Sequence, residues 1–93
     1  MTLNQFLAEL SKTPRDWHLS YKWNAIRRGG PFGSACCPIT SLSGVSADDW
    51  QTEAKCMGLD GNDAYEVMRA ADNEAGFNPA LRSRLLAACG IKE

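Results

Sequence analysis

The residues able to do chemistry in this chain are few, and their spacing restricts what they could do. Four cysteines stand at positions 36, 37, 56 and 89, with a single histidine, His18. A structural zinc site takes its ligands in close pairs such as C-x2-C, because two thiolates must reach one ion from one tight turn. Cys36 and Cys37 are adjacent, Cys56 and Cys89 stand apart, and His18 is in ligand spacing with none of them. No metal is expected, and the thiols read as small core residues. A catalytic thiolate needs an activating base. Cys37 stands before Pro38 at an expected helix start, yet nothing in the sequence brings His18 to it. The Asp48-Asp49 pair reads as helix-start residues rather than as an acid and a base. Arg27-Arg28-Gly29-Gly30 followed by Gly33-Ser34 invites comparison with a phosphate-cradling loop, but no lysine follows Gly33, so the G-x-x-x-x-G-K-[ST] order is absent. With no metal set and no cofactor fingerprint, neither an enzyme nor a cofactor is expected.

The elements that must position these residues belong to a short chain. Ninety-three residues are expected to form one domain, 1–93. Ten Lys and Arg against eleven Asp and Glu give a formal charge of −1, which excludes a generally basic nucleic-acid binder. A hydrophobic content of 44% and a charged content of 23% are ordinary for a globular chain. No apolar run reaches the ~20 residues of a membrane helix. The first residues lack the charged start, apolar block and small-residue site of a signal peptide. The expected location is therefore the cytoplasm, where thiols stay reduced and a disulfide framework is not expected.

Hydrophobic periodicity then divides the chain. Thr2 and Gln5 form a T-x-x-Q capping box, and Leu3, Phe6, Leu7 and Leu10 follow at helical spacing. Pro14 stops that helix near residues 11–13. From Trp17 the period changes to two: Trp17, Leu19, Tyr21 and Trp23 alternate with polar residues, which reads as a half-buried strand. Its partner is either residues 25–28 of the same chain or an edge supplied by another chain. Residues 29–34 form a loop by composition, carrying Phe32. Pro38 opens a short helical turn with Ile39 and Leu42 inward, closed by Gly44.

Three punctuated helices should follow. Ser46 caps the first, Trp50, Ala54 and Met57 form its buried stripe, and Gly58 ends it. Asp60 caps the second, whose inner face is Ala64, Val67, Met68 and Ala71, with Asn73 and Gly76 as breakers. Asn78-Pro79 opens the third, Leu81, Leu85 and Cys89 run down one side, and Gly90-Ile91 closes it. The fold class is thus α+β, mainly α: an N-terminal helix, a short strand or hairpin, and a C-terminal three-helix bundle. The expected core is Leu3, Phe6, Leu7, Leu10, Trp17, Leu19, Trp23, Ile39, Leu42, Trp50, Ala54, Met57, Val67, Leu81 and Leu85.

Charge is distributed unevenly. Residues 44–76 hold eight acids and two bases, a net −6, whereas residues 1–34 carry +3 and residues 77–93 carry +2. Within the acidic stretch, residues 51–69 resemble a helix-turn-helix unit through Ala54, Gly58, Leu59, Ala64 and Val67. The second helix of that unit begins Asp60-Gly61-Asn62-Asp63 and carries Glu66, where a DNA reader presents Arg, Lys, Asn or Gln. Phosphates repel such a face, so nucleic acid is not the expected partner.

Three segments, the 17–28 strand region, Cys37-Pro38-Ile39-Thr40 and the 81–90 closing helix, resemble in general cast the small accessory proteins of phages and prophages, a group that includes anti-CRISPR inhibitors of bacterial defence. That resemblance implies a non-enzymatic protein acting on a host or defence protein inside the bacterial cell. The expected partner is a protein with a basic surface. Asp60, Asp63, Glu66 and Tyr65 are the expected contact residues, with Arg27, Arg28 and Phe32 as a second set, and a homodimer is a natural further source of stability. The alternative expectation is a helix-turn-helix DNA-binding regulator.

Overall fold

Seven elements follow one another in the computed structural model, which describes residues 1–13, 16–21, 23–28, 37–43 and 50–91. They are α1 (Leu3–Leu10), β1 (Trp17–Leu19), β2 (Ile26–Arg28), α2 (Pro38–Ser43), α3 (Trp50–Met57), α4 (Gly61–Ala71) and α5 (Pro79–Cys89). The class is α+β, mainly α, as the periodicity predicts. The expected cap Ser46, the acids Asp48 and Asp49, Gly44 and the 29–34 loop with Phe32 lie outside the described residues.

Local chemistry sets the helix ends. Thr2 Oγ1 accepts the Gln5 N–H at 3.1 Å while Gln5 Oε1 accepts the Thr2 N–H at 2.7 Å, the reciprocal capping box expected for α1. Asp60 accepts the Asn62 N–H at 3.2 Å at the start of α4. Asn78 Oδ1 accepts the N–H groups of Ala80 and Leu81 at the start of α5, where Pro79 fills the first helical position. At the other ends the backbone turns left-handed. Gly90 has φ 74° and Ile91 N–H donates back to Leu86 O at 2.9 Å, closing α5. Gly58 closes α3 in the same way at φ 68°, with Leu59 N–H donating to Ala54 O at 3.0 Å.

The strand is shorter than the alternation of residues 17–23 predicts. β1 ends at Leu19, and its partner is β2 of the same chain, antiparallel, with Trp17 opposite Arg28, His18 opposite Arg27 and Leu19 opposite Ile26. Tyr21, Trp23 and Asn24 belong to the turn between the strands. Asn24 adopts the left-handed φ of 52°, its N–H donates to Ser20 O at 3.0 Å, and Ser20 Oγ accepts the Ala25 N–H at 3.0 Å. Those bonds close the hairpin before the aromatic alternation is finished. Tyr21 and Trp23 are consequently carried on the tip, with Trp23 69% exposed, so its expected place in the core is incorrect. Ile26 takes the interior position instead and is fully buried. Trp17 is buried as expected, and its indole N–H donates to Thr13 Oγ1 at 2.9 Å.

The core joins Phe6, Leu7 and Leu10 of α1 to Trp17, Ile26, Ile39, Ala54, Val67, Leu81 and Leu85 in one cluster. Leu3, Leu19, Leu42 and Met57 pack against it half-buried, and the side chain of Trp50 lies outside the description. α4 is the central member of the C-terminal helices, packed on α3 on one side and α5 on the other, and α1 rests on α5. Its inner face is small (Ala64, Val67, Ala70 and Ala71 are all buried), which permits close approach of its neighbours. Among the described residues no helix is long and apolar enough to cross a membrane.

Candidate functional site

Two features stand out on the surface, one at each end of α4. At its N-terminal end, the left-handed turn at Gly58 folds α4 back against α3, and Leu59 is buried beneath the turn. An open cleft of about 540 Å³ runs between Gln51, Ala54 and Lys55 of α3 and Asp60, Gly61 and Tyr65 on the α4 side. Gly61 borders the cleft, and a Cβ there would meet nothing within 4 Å. Asp60 caps α4 and lies exposed on the cleft wall. Tyr65 is 42% exposed, and the Arg69 guanidinium lies 5.4 Å from its ring centre.

The expected acidic face is brought together at this end of the helix, though not on a single side. Asp63 and Glu66 are three positions apart, about 60° around the axis, and both are half-buried. Tyr65 stands about 100° from Glu66 and about 160° from Asp63, on the cleft side with Asp60. Asp63 and Glu66 therefore form one flank of α4 and Tyr65 the other. No described cation pairs with Asp60, Asp63 or Glu66, whereas three acids elsewhere are compensated: Glu9 by Lys12 at 3.3 Å, Asp16 by Arg28 at 2.7 Å and Asp72 by Arg27 at 2.7 Å.

The expected second set of contacts divides. Arg27 and Arg28 lie on β2, away from the acidic end, and each is engaged by a carboxylate of its own chain. Arg27 Nη2 meets Asp72 Oδ1 as a close ion pair without hydrogen-bond alignment, and that oxygen is buried. These arginines brace the hairpin instead of presenting open cationic forks. Phe32 lies outside the described residues.

The feature at the C-terminal end of α4 escaped the sequence reading. Arg82 of α5 donates from Nη1 to Ala70 O at 2.7 Å and from Nη2 to Asn24 O at 2.7 Å, joining the end of α4 to the hairpin turn. Asn73, itself left-handed at φ 56°, donates from Nδ2 to Trp23 O at 3.3 Å. With Arg27–Asp72, these contacts fasten the hairpin to the helices at three points. The tip that carries Tyr21 and Trp23 is held on a fixed platform. The acceptors at Asn24, Trp23 and Ala70 are backbone carbonyls, which carry no side-chain signature, so no sequence pattern announces them.

His18 is exposed, with Nδ1 3.5 Å from Asp16 O. Cys56 is exposed on α3 and Cys89 is buried. Among the described residues no three His, Cys, Asp or Glu side chains converge to hold a metal ion. The α3–turn–α4 unit does have the interior expected of a helix-turn-helix spacing, with Ala54, Leu59, Ala64 and Val67 all buried around the Gly58 turn. In comparisons with protein-family models, curated proteins and solved structures, the chain matches none.

Proposed function

We propose that this chain is a non-enzymatic protein-binding module that receives a basic protein surface on the N-terminal end of α4. The observation that carries this reading is the concentration there of three carboxylates, Asp60, Asp63 and Glu66, with no compensating cation among the described residues. Such a cluster raises the local negative potential, speeds encounter with a cationic partner and selects against anionic ones. Tyr65 and the adjoining cleft supply apolar contact of the kind interface centres use. An inhibitor acting on a bacterial host or defence protein in the cytoplasm, of the type phages encode, fits this chemistry. Capture from bacterial lysate followed by mass spectrometry tests the reading, with the wild type beside a folded Asp63→Lys/Glu66→Lys variant. The expected result is a basic protein retained by the wild type and lost by the variant. Equal capture by both would refute the acidic-face reading.

The buried Ala54, Leu59, Ala64 and Val67 around the left-handed Gly58 favour a second reading, a helix-turn-helix DNA-binding regulator. Titration with duplex DNA at low and moderate salt separates the two. Affinity that falls steeply with salt supports the regulator, and no affinity at low salt removes it.

A further inference from the structure

We infer that the α3–α4 cleft is a binding site for a short zwitterionic peptide, an apolar dipeptide with both termini free. The inference goes beyond the protein-binding reading and does not depend on it, because Asp63 and Glu66 lie on the other flank of α4 and take no part.

Two opposite charges share the cleft without meeting. Lys55 on the α3 wall and Asp60 on the α4 side both line it and both are exposed. They form no ion pair with each other, and among the described residues neither has another charged partner. Asp60 Oδ2 accepts the Asn62 N–H at 3.2 Å, which leaves the second carboxylate oxygen for a ligand. A cation and an anion held apart in one concavity select a ligand that carries both charges, since a ligand of one sign alone is repelled by one of them.

The rest of the lining matches a peptide. Gln51, Ala54 and Lys55 stand at i, i+3 and i+4 on one face of α3, and Gly61, Asn62 and Tyr65 border the cleft from the first turns of α4. The carboxamides of Gln51 and Asn62 each offer donors and an acceptor, the complement of a peptide N–H and C=O. Among the described residues neither carboxamide is engaged in a hydrogen bond. Leu59 and Ala54 form an apolar floor, and the half-exposed Tyr65 adds an aromatic wall. At about 540 Å³ the cleft falls inside the ~300–1,000 Å³ range of sites for small organic molecules.

These groups define one orientation. The ligand carboxylate meets Lys55, its ammonium meets Asp60, its peptide group meets Gln51 and Asn62, and its side chains rest on Ala54, Leu59 and Tyr65. A free amino acid has no peptide group for the two carboxamides. Each further residue in a longer peptide separates the end charges by up to ~3.5 Å more, which takes one of them out of the cleft. The cleft is open and its charges are hydrated, so the affinity should be modest, with Kd about 0.1–1 mM.

Amide chemical shifts of the whole isotope-labelled chain, titrated with leucyl-phenylalanine to about 10 mM, test this. The shifts should move at residues 51–65 and saturate. N-acetyl-leucyl-phenylalanine lacks the ammonium and leucyl-phenylalaninamide lacks the carboxylate. Each should bind about fivefold more weakly, as should free phenylalanine. Two variants then assign the charges. Lys55→Met should weaken leucyl-phenylalanine about fivefold and hold the amidated peptide as well as the free acid. Asp60→Asn, which keeps the cap and removes the charge, should likewise cease to discriminate against the acetylated peptide. Circular dichroism on each variant establishes that it is folded. The inference is overturned by a wild type without saturating shifts at residues 51–65, or by one that binds the blocked peptides or free phenylalanine equally well. Variants that keep the full preference for free termini would overturn it too. No foreign protein enters these measurements, so their failure is distinct from failure of the Asp63→Lys/Glu66→Lys capture experiment.

Discussion

Arg82→Ala removes a side chain that joins α5 to both the end of α4 and the hairpin turn. Two hydrogen bonds of 2.7 Å are lost, to Ala70 O and Asn24 O. Bonds from a charged donor contribute about 1.5–3 kcal/mol each when shielded, and less in water. The contact with Ala70 O is part-buried and the one with Asn24 O is exposed, so the first belongs near the lower limit and the second well below it. The guanidinium also lies 5.7 Å from the Phe77 ring centre, adding about 0.5 kcal/mol at a solvent-facing site. Alanine is the better helix former by a few tenths of a kcal/mol, which offsets little. The net loss should be about 2–3 kcal/mol. For a domain of this size that lowers Tm by roughly 10–20 °C. Urea unfolding followed by circular dichroism should show a lower midpoint at unchanged slope, because the surface exposed on unfolding is nearly the same. Arg82→Lys should recover less than half of the loss, since one ammonium cannot span two carbonyls on separate elements. A loss under about 0.5 kcal/mol, the range of an ordinary surface substitution, would refute the bracing role.

Arg27→Met should cost about 1–3 kcal/mol, because it strands Asp72 Oδ1, which is buried and meets Arg27 at 2.7 Å. Adding Asp72→Asn should recover part of that cost, and a double-mutant cycle with coupling below about 0.3 kcal/mol would remove the pair from the account. Asn78→Ala should cost about 1 kcal/mol in thermal unfolding by leaving the Ala80 and Leu81 N–H groups without their acceptor, while Asn78→Asp should be close to neutral.

How much of this was legible in the chain depends on the range of the interactions involved. The cap at Thr2 and Gln5, the stops at Gly58 and Gly90 and the start at Asn78-Pro79 are decided within three or four residues, so their residue types announce them. The same holds for the inner faces of α1, α4 and α5, where apolar residues recur at helical spacing. The acids at 60, 63 and 66 could be placed at the head of α4 for the same reason. Which flank faced α3, and hence that Tyr65 lines the cleft while Asp63 and Glu66 lie elsewhere, required the neighbouring helix.

The sequence by itself determined where α1, α4 and α5 begin and where α3 and α5 end, because caps, left-handed glycines and apolar spacing act locally. The tertiary structure alone decided the fate of the aromatic segment. Residues 17–23 alternate as a strand should, and their pattern is equally compatible with Trp23 inside the core. Trp23 is outside because Ser20 and Asn24 close the turn early, Ile26 occupies the interior place, and Arg82 and Asn73, some fifty residues further along the chain, hold the turn by its carbonyl oxygens. Backbone carbonyls are the same at every position, so a structure built on them leaves no mark in the order of side chains.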